Sequence, residues 1–258
     1  MTVYELYKKL CEEYPCELSC EWDNDGLMCC PDAEREVKRV LVALDVTAAV
    51  AKRAIDEGYD LIVSHHPMIF RPLGAVAPGK PVADKTISLL LGGVSVMSFH
   101  TRLDAVEGGV NDKLCSLFGL CDVEVVMCDG SPVGRIGSLP QSMSAEDFAK
   151  QVKSTLGSPF VLLSDTGVAA SRVALVGGGG GSFITAARDK GADTFVSGDI
   201  GYHALTDAPD FKSAPLNLIE VGHFYSEHPV CSVLADMVHS IAPELECDIY
   251  FSNVVKAI

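Results

Sequence analysis

The chain has 258 residues, 48% of them hydrophobic, and a mean hydropathy of +0.25, enough for a sizeable core or for two α/β domains. The formal charge is −15 and the pI about 4.7, with no basic stretch. That balance argues against nucleic acid as the main partner, because phosphate contacts need clustered Lys and Arg, while a nucleotide held through a metal stays open. The N-terminus from Met1 to Tyr14 is amphipathic and charged, unlike a signal peptide. The longest mostly apolar run, Ile87 to Phe99, is too short to span a membrane and carries Gly92-Gly93. A cytoplasmic protein without membrane contact is therefore expected. The ten cysteines contain no Cys-x-x-Cys and read as reduced thiols acting mostly as small hydrophobes. A redox or soft-metal role for the cluster from Cys11 to Cys30 is the minor alternative.

Thr2 opens the first helix, with Glu5 in the capping-box position and Val3, Leu6, Tyr7 and Leu10 as its apolar stripe. Glu21 to Leu27 is a turn-rich polar cluster around the only tryptophan, Trp22. Its residue types favour an Asx-type turn with the indole packed beneath over a loop facing a site. Val40 to Leu44 is a strand, Thr47 an N-cap, and a helix runs from Ala48 to Glu57 with Gly58 at C′. Leu61 to Val63 is a second strand, ended by His65, His66 and Pro67. A Pro- and Gly-rich loop spans Arg71 to Pro81, and a helix follows to Leu91. Val94 to Phe99 is the next strand, followed by His100, Asp104 and a short helix to Leu117 closed by Gly119. These are βαβ units and imply a parallel sheet.

From Cys121 the strands are expected at Val123 to Met127, Gly134 to Leu139, Phe160 to Leu163, Val173 to Val176, Thr194 to Ser197 and Leu216 to Val221. Ser144 starts a helix with Phe148, Val152 and Leu156 inward. Gly177 to Gly181, between a strand and a helix reaching Lys190, suit either phosphate binding or a tight turn with close packing. No Gly-Lys-[Ser/Thr] is present, so this is not a P-loop. A final helix buries Val230, Val233, Leu234, Met237, Val238 and Ile241 and leads to a strand from Asp248 to Ser252. The second domain is expected between Asp104 and Val221.

Three strand ends carry metal-type ligands: His65 and His66, His100 and Asp104, and His223 and Glu227. Open α/β sheets place ligands at strand ends. Adjacent residues on extended backbone point to opposite sides, so His65 and His66 are better placed to serve two ions than one. His223 and Glu227 are four apart, which one helical turn would bring to one face. A mixed N/O donor set suits Zn, Mn or Fe rather than Ca.

The stretches Trp22-Asp23-Asn24-x-Gly26-Leu27, Ser64-His65-His66-Pro67, His100-Thr101-x-x-Asp104, Gly108-Gly109-Val110-Asn111-Asp112, Gly198-Asp199 with His203, and Gly222-His223 with Ser226-Glu227 run in order over nearly the whole chain. In this the sequence resembles the NIF3 family of dinuclear metal proteins, also called GTP cyclohydrolase 1 type 2 homologues, in its short form without an inserted middle domain. The resemblance implies an α/β fold of two domains, residues 1–103 with 222–258 and residues 104–221, with the metal site at their junction. It implies that His65, His66, Asp104, His223 and Glu227 bind two divalent ions (Zn, Fe or Mn), one histidine of the pair to each ion and Glu227 bridging. Phe224 stands where the family commonly has Tyr. A homo-oligomer, by resemblance a toroidal hexamer, is expected. The first functional reading is a metal-dependent hydrolase acting on a nucleotide or related small molecule, with His100 and His203 as proton shuttles. The alternative is a metal-binding regulatory or scaffold protein without turnover. A third is nucleotide binding at Gly177 to Gly181 without catalysis. His228 receives no role, and His239 reads as structural.

Overall fold

Short apolar runs separated by amphipathic helices are joined by crossovers, the condition for a parallel sheet. The computed structural model, which describes residues 1–128, 130–251 and 253–257, contains two mixed sheets, each built on such a parallel core. The chain divides into two compact units: Met1–Leu103 with Val230–Val254, and Asp104–Pro229 with the residues from Val255. The sequence predicts a return to the first domain at Gly222, whereas the first unit resumes at Val230. The intervening residues pack on strands of the second unit, as described below.

In chain order the first unit contributes α1 (Val3–Glu13), β1 (Gly26–Cys29), β2 (Arg39–Ala43), α2 (Ala48–Asp56), β3 (Leu61–Ser64), α3 (Pro81–Leu91) and β4 (Ser95–Ser98). Next come α4 (Thr101–Ala105), α5 (Val110–Phe118), β5 (Cys121–Cys128), β6 (Ser131–Met143), α6 (Ala145–Leu156), β7 (Leu162–Ser164) and β8 (Ala170–Gly179). The second unit closes with α7 (Ile184–Asp189), β9 (Thr194–Asp199), α8 (Tyr202–Asp207), β10 (Asn217–Glu220) and α9 (His223–Glu227). The first unit is completed by α10 (Val230–Ile241) and β11 (Glu246–Tyr250). Ser252, the end of the strand expected from Asp248, lies outside the described residues.

The first sheet has the order β1-β4-β3-β2-β11, with β1 antiparallel to β4 and all other neighbours parallel. The second has the order β5-β6-β8-β9-β10-β7; β8, β9 and β10 run parallel and the remaining pairs antiparallel. Local chemistry sets the helix ends. Thr2 and Glu5 form a reciprocal capping box on α1. Thr47 Oγ1 accepts from Val50 N at the start of α2, and Gly58 follows its end at φ +71°. The first unit's core gathers Leu41, Ile62 and Val96, register partners on one face of the sheet, with Val50 and Ala54 of α2 and Leu89 of α3.

The structure departs from the sequence pattern in three places. β1 follows directly on the Trp22 turn; four residues flanked by polar turns carry no readable period. His100 to Asp104 leads into a five-residue helix, too short to register as a periodic segment. β8 continues through Gly177 to Gly179, with a register irregularity between Val176 and Gly179, so the glycines extend a strand before turning.

Candidate metal centre

The register of the first sheet sets out one group of candidate ligands. Ala43, Ser64 and Ser98 are mutual partners across β2, β3 and β4. Two residues beyond each stand Asp45, His66 and His100, which are thereby brought level at the carboxyl edge of the sheet, where α/β proteins bind ligands. His65 and His66 do not alternate as strand residues would. Their successive N–H groups both donate toward the β2 side, to Ala43 O and Leu44 O, which breaks the pleat. The two rings consequently lie 5.1 Å apart with a tilt of 43°, closer than opposite-facing side chains would be. The His100 ring joins them at 5.1 Å from His65 and 5.4 Å from His66. One nitrogen from each of the three rings lies within 4.8 Å of the others. His65 is fully buried, and His66 and His100 are half-buried.

The hydrogen bonds fix how each ring is presented. His65 Nδ1 is 3.0 Å from Phe99 O, and a carbonyl only accepts, so Nδ1–H donates. His66 Nδ1 donates to Asp45 Oδ1 at 2.8 Å and His100 Nδ1 to Asp23 Oδ1 at 2.9 Å. In the neutral ring this places the lone pair on Nε2 in all three, the arrangement by which carbonyl and carboxylate groups orient metal-binding histidines.

Asp23 belongs to a turn fastened at three successive polar positions, Asp23, Asn24 and Asp25. Its side chain is fully buried, and besides His100 it accepts from Thr101 N at 3.1 Å and Thr101 Oγ1 at 2.6 Å. Burial alone would raise its pKa; the hydrogen bond and charge of His100 and the bonds from Thr101 outweigh this and hold the carboxyl well below the usual range. Asp25 takes a bidentate pair from the buried Arg102 at 2.6 and 2.7 Å. Asn24 Nδ2 donates to Ile69 O. The turn predicted to cover the indole instead faces His100: Trp22 is 64% exposed, and its ring meets that of His100 edge-on at 6.2 Å. The turn's two aspartates are spent on part-buried anchors, and the indole is left on its outer side.

The second unit repeats the device. Val176, Ser197 and Glu220 are register partners on β8, β9 and β10, and the chain beyond them supplies Gly177-Gly178, Gly198-Asp199 and Gly222-His223. On α9, His223 Nε2 lies 3.0 Å from Glu227 Oε2, and His223 Nδ1 is bonded to Asp199 Oδ2 at 2.6 Å. Glu227 is 4% exposed. The glycines make this packing sterically feasible. A Cβ on Gly178, at φ +64°, would sit 2.1 Å from Glu227 Oε1; one on Gly198 would sit 2.5 Å from Ser226 Oγ and 2.8 Å from His223 Cα. Gly177 N donates to Asn111 Oδ1, Gly178 N to Ser226 Oγ and Gly180 N to Asp199 O. These three N–H groups are turned inward, and the near approach of Glu227, Ser226 and His223 makes close packing the use of the glycines at Gly178 and Gly198.

The remaining sequence candidates are placed as follows. Asp104 is half-buried on α4, its carbonyl accepting from Asn111 Nδ2. His203 is exposed on α8, its ring against Tyr202 at 5.6 Å. His228 packs its ring on Phe224 at 5.0 Å, and burial lowers its pKa. His239 bonds Leu245 O at the end of α10. All ten cysteines are free, and burial pushes the Cys115 and Cys231 thiols up to about 12, as expected of inert core residues. Asp23, Asp45 and Asp199, each holding one histidine, were not singled out as site residues by pattern. Their shared signal is an aspartate in a strand-end turn, common enough to carry no weight before the histidines are placed.

These His and His/Glu groups could hold a metal. Among the described residues no helix is long and apolar enough to cross a membrane. A GTP cyclohydrolase 1 type 2 homolog of Clostridium perfringens is 33% identical over 244 residues, covering 92% of this chain and 90% of that protein. The crystal structure of a Staphylococcus aureus hypothetical protein matches with a TM-score of 0.89 at 26% identity, over 100% of this chain and 99% of the other. A Bacillus cereus protein related to NIF3 has the same fold, with a TM-score of 0.85 at 22% identity over 100% and 98% of the two chains. The family model Duf34/NIF3 (NGG1p interacting factor 3) matches residues 1–257, and by this match and its relatives the chain belongs to that family.

Proposed function

We propose that the protein is a dinuclear metal-dependent hydrolase in which His65, His66, Asp104, His223 and Glu227 hold two divalent ions of the Zn, Fe or Mn type. The observation that carries this reading is the common construction of the histidines. His65, His66 and His223, like His100, are each held through Nδ1 by a carbonyl or carboxylate oxygen, which leaves Nε2 as the nitrogen turned toward a ligand. Three imidazoles and two carboxylates form a donor set of borderline softness, right for those metals and wrong for calcium. Divalent ions at such a set supply Lewis acidity and lower the pKa of water. The chain's own contribution is orientation and proton handling. Phe99 O, Asp45 and Asp199 fix the rings, Glu227 contributes a carboxylate able to bridge, and His100, held by Asp23, carries a proton at Nε2 between substrate and solvent. His203, open to solvent on α8, is the second proton carrier in this scheme.

The name borne by the relatives brings ring-opening hydrolysis of a purine nucleotide to this chain as the first substrate class to test. We place the protein in the cytoplasm, in keeping with its ten free thiols, and as a toroidal homohexamer, to be checked by native mass spectrometry.

The test has two arms. Metal analysis of purified protein should give two equivalents per chain, falling sharply in Glu227→Ala; one equivalent indifferent to that change refutes the dinuclear site. Metal-loaded protein should turn over a nucleotide or phosphoester in a screen. If removal of metal unfolds the protein and no substrate is consumed, the ions are structural and the scaffold reading replaces the enzyme.

A further inference from the structure

The exposed tryptophan has a neighbour of the same kind. Trp22 is 64% exposed and Phe70 is 42% exposed, and their rings meet edge-on with centroids 6.1 Å apart. Both also meet the His100 ring, Trp22 at 6.2 Å and 75°, Phe70 at 6.4 Å and 82°. Three rings thus meet edge-on at 66° to 82°, and the third belongs to the histidine group. Exposed aromatic surface of this size is unfavourable in water, and a lone exposed ring on a mobile loop would need no explanation. This loop is not built that way. Asp23 and Asp25 are spent on buried partners, Cys20 N donates to Thr101 Oγ1, and Asn24 ties the Trp22 turn to the backbone at Ile69, next to Phe70. The fold therefore anchors the segments that carry two apolar rings beside the histidine group.

We infer that Trp22 and Phe70 form a stacking subsite that receives the planar heteroaromatic ring of the substrate beside His65, His66 and His100. This rests on the metal-dependent reading of that group and adds which side chains receive the flat ring of the substrate, a preference that a sugar, an aliphatic ester or a peptide would not satisfy. Flat rings gain by stacking on indole and phenyl faces whatever their hydrogen-bond pattern, so the subsite selects shape and leaves identity to the polar groups around it.

Trp22 is the only tryptophan, so the site carries its own reporter. Metal-loaded full-length protein excited at the red edge of indole absorption is titrated with guanosine and, separately, nicotinamide, with ribose and tetramethylammonium as controls. The expected result is saturable quenching by the planar rings and none by the controls. Phe70→Leu keeps the reporter and should weaken ring binding roughly tenfold, the scale of one lost stacking contact. Trp22→Leu, followed by calorimetry, should do the same, and both variants should retain wild-type metal content. No quenching by either ring on metal-replete protein overturns the inference and leaves the metal site standing. Equal quenching by tetramethylammonium makes the rings a cation cage and overturns it also. A Trp22 spectrum that responds to protein concentration and not to ligand identifies a contact between copies instead. Ring binding that persists in protein unable to take up metal preserves the subsite and refutes the metal reading alone.

Discussion

Replacing Asp23 by asparagine keeps the shape of the side chain and removes its charge. Asp23 accepts from His100 Nδ1, Thr101 N and Thr101 Oγ1, all inside the protein. The amide has one acceptor and one donor end. With the NH2 toward Thr101 it faces a backbone N–H that cannot reverse. With the NH2 toward His100 it faces the Asn24 N–H, which donates to the same oxygen and cannot reverse either. The imidazole proton would also have to move from Nδ1 to Nε2, so neither orientation satisfies every donor. Charge-assisted bonds contribute about 1.5–3 kcal/mol and neutral ones about 0.5–1.5, so three downgraded bonds cost about 3 kcal/mol. At about 2–4 °C per kcal/mol for a chain of this size, Tm should fall by about 6–12 °C. Thermal unfolding by circular dichroism measures the stability. Nitrogen-15 imidazole spectra measure the tautomer, with the His100 signals assigned by their loss in His100→Gln. A Tm within a degree or two of the wild type, with the His100 tautomer unchanged, would refute the account of Asp23 as the group that orients His100.

Three further outcomes are expected. Asp60 sits under Arg35 and accepts from Lys38 N and Arg39 N; burial would raise its pKa, but these donors lower it below the unfolded value. Its stabilising contribution is therefore full above the unfolded pKa of about 3.9 and is lost as pH falls through the lower folded value. Asp60→Asn should cost about 2 kcal/mol at pH 7, with the gap to wild type closing below about pH 4 in acid titrations of urea stability. Asp199→Ala removes the group that orients His223 and should weaken metal binding by about 10- to 100-fold in competition with a chromophoric chelator, with little change in Tm because both partners are partly open to solvent. Gly178→Ala forces a side chain into left-handed backbone and against Glu227; it should cost about 2 kcal/mol or more in Tm assays and reduce bound metal, whereas Gly179→Ala, with open space at its Cβ, should retain metal.

How much of this was legible in the sequence differs by element. The apolar runs at β2, β3, β4 and β10 and the capped helices α1, α2 and α6 follow from local period and cap chemistry, because a buried parallel strand needs an apolar run and a helix start needs an oxygen at its N-cap. The histidines were visible for the same local reason: they end strands, and strand ends meet at one edge of a sheet. The pairing register was not local. It alone makes Asp45 level with His66 and His100, and it turns ordinary loop aspartates into the groups that set ring orientation.

By itself, then, the sequence determined the α/β class, the histidine-bearing strand ends and the family. Each of these depends on residue types within a dozen positions or on motifs kept in order along the chain. Only the tertiary structure decided what the glycine run is for, which way Trp22 faces and how each imidazole is held. Gly178 needs Glu227 from 49 positions later to explain its missing side chain. Trp22 is exposed because Asp23, Asn24 and Asp25 are claimed by residues 45 to 78 positions away. Contacts at that separation are chosen by the folded chain as a whole, and no local pattern carries them.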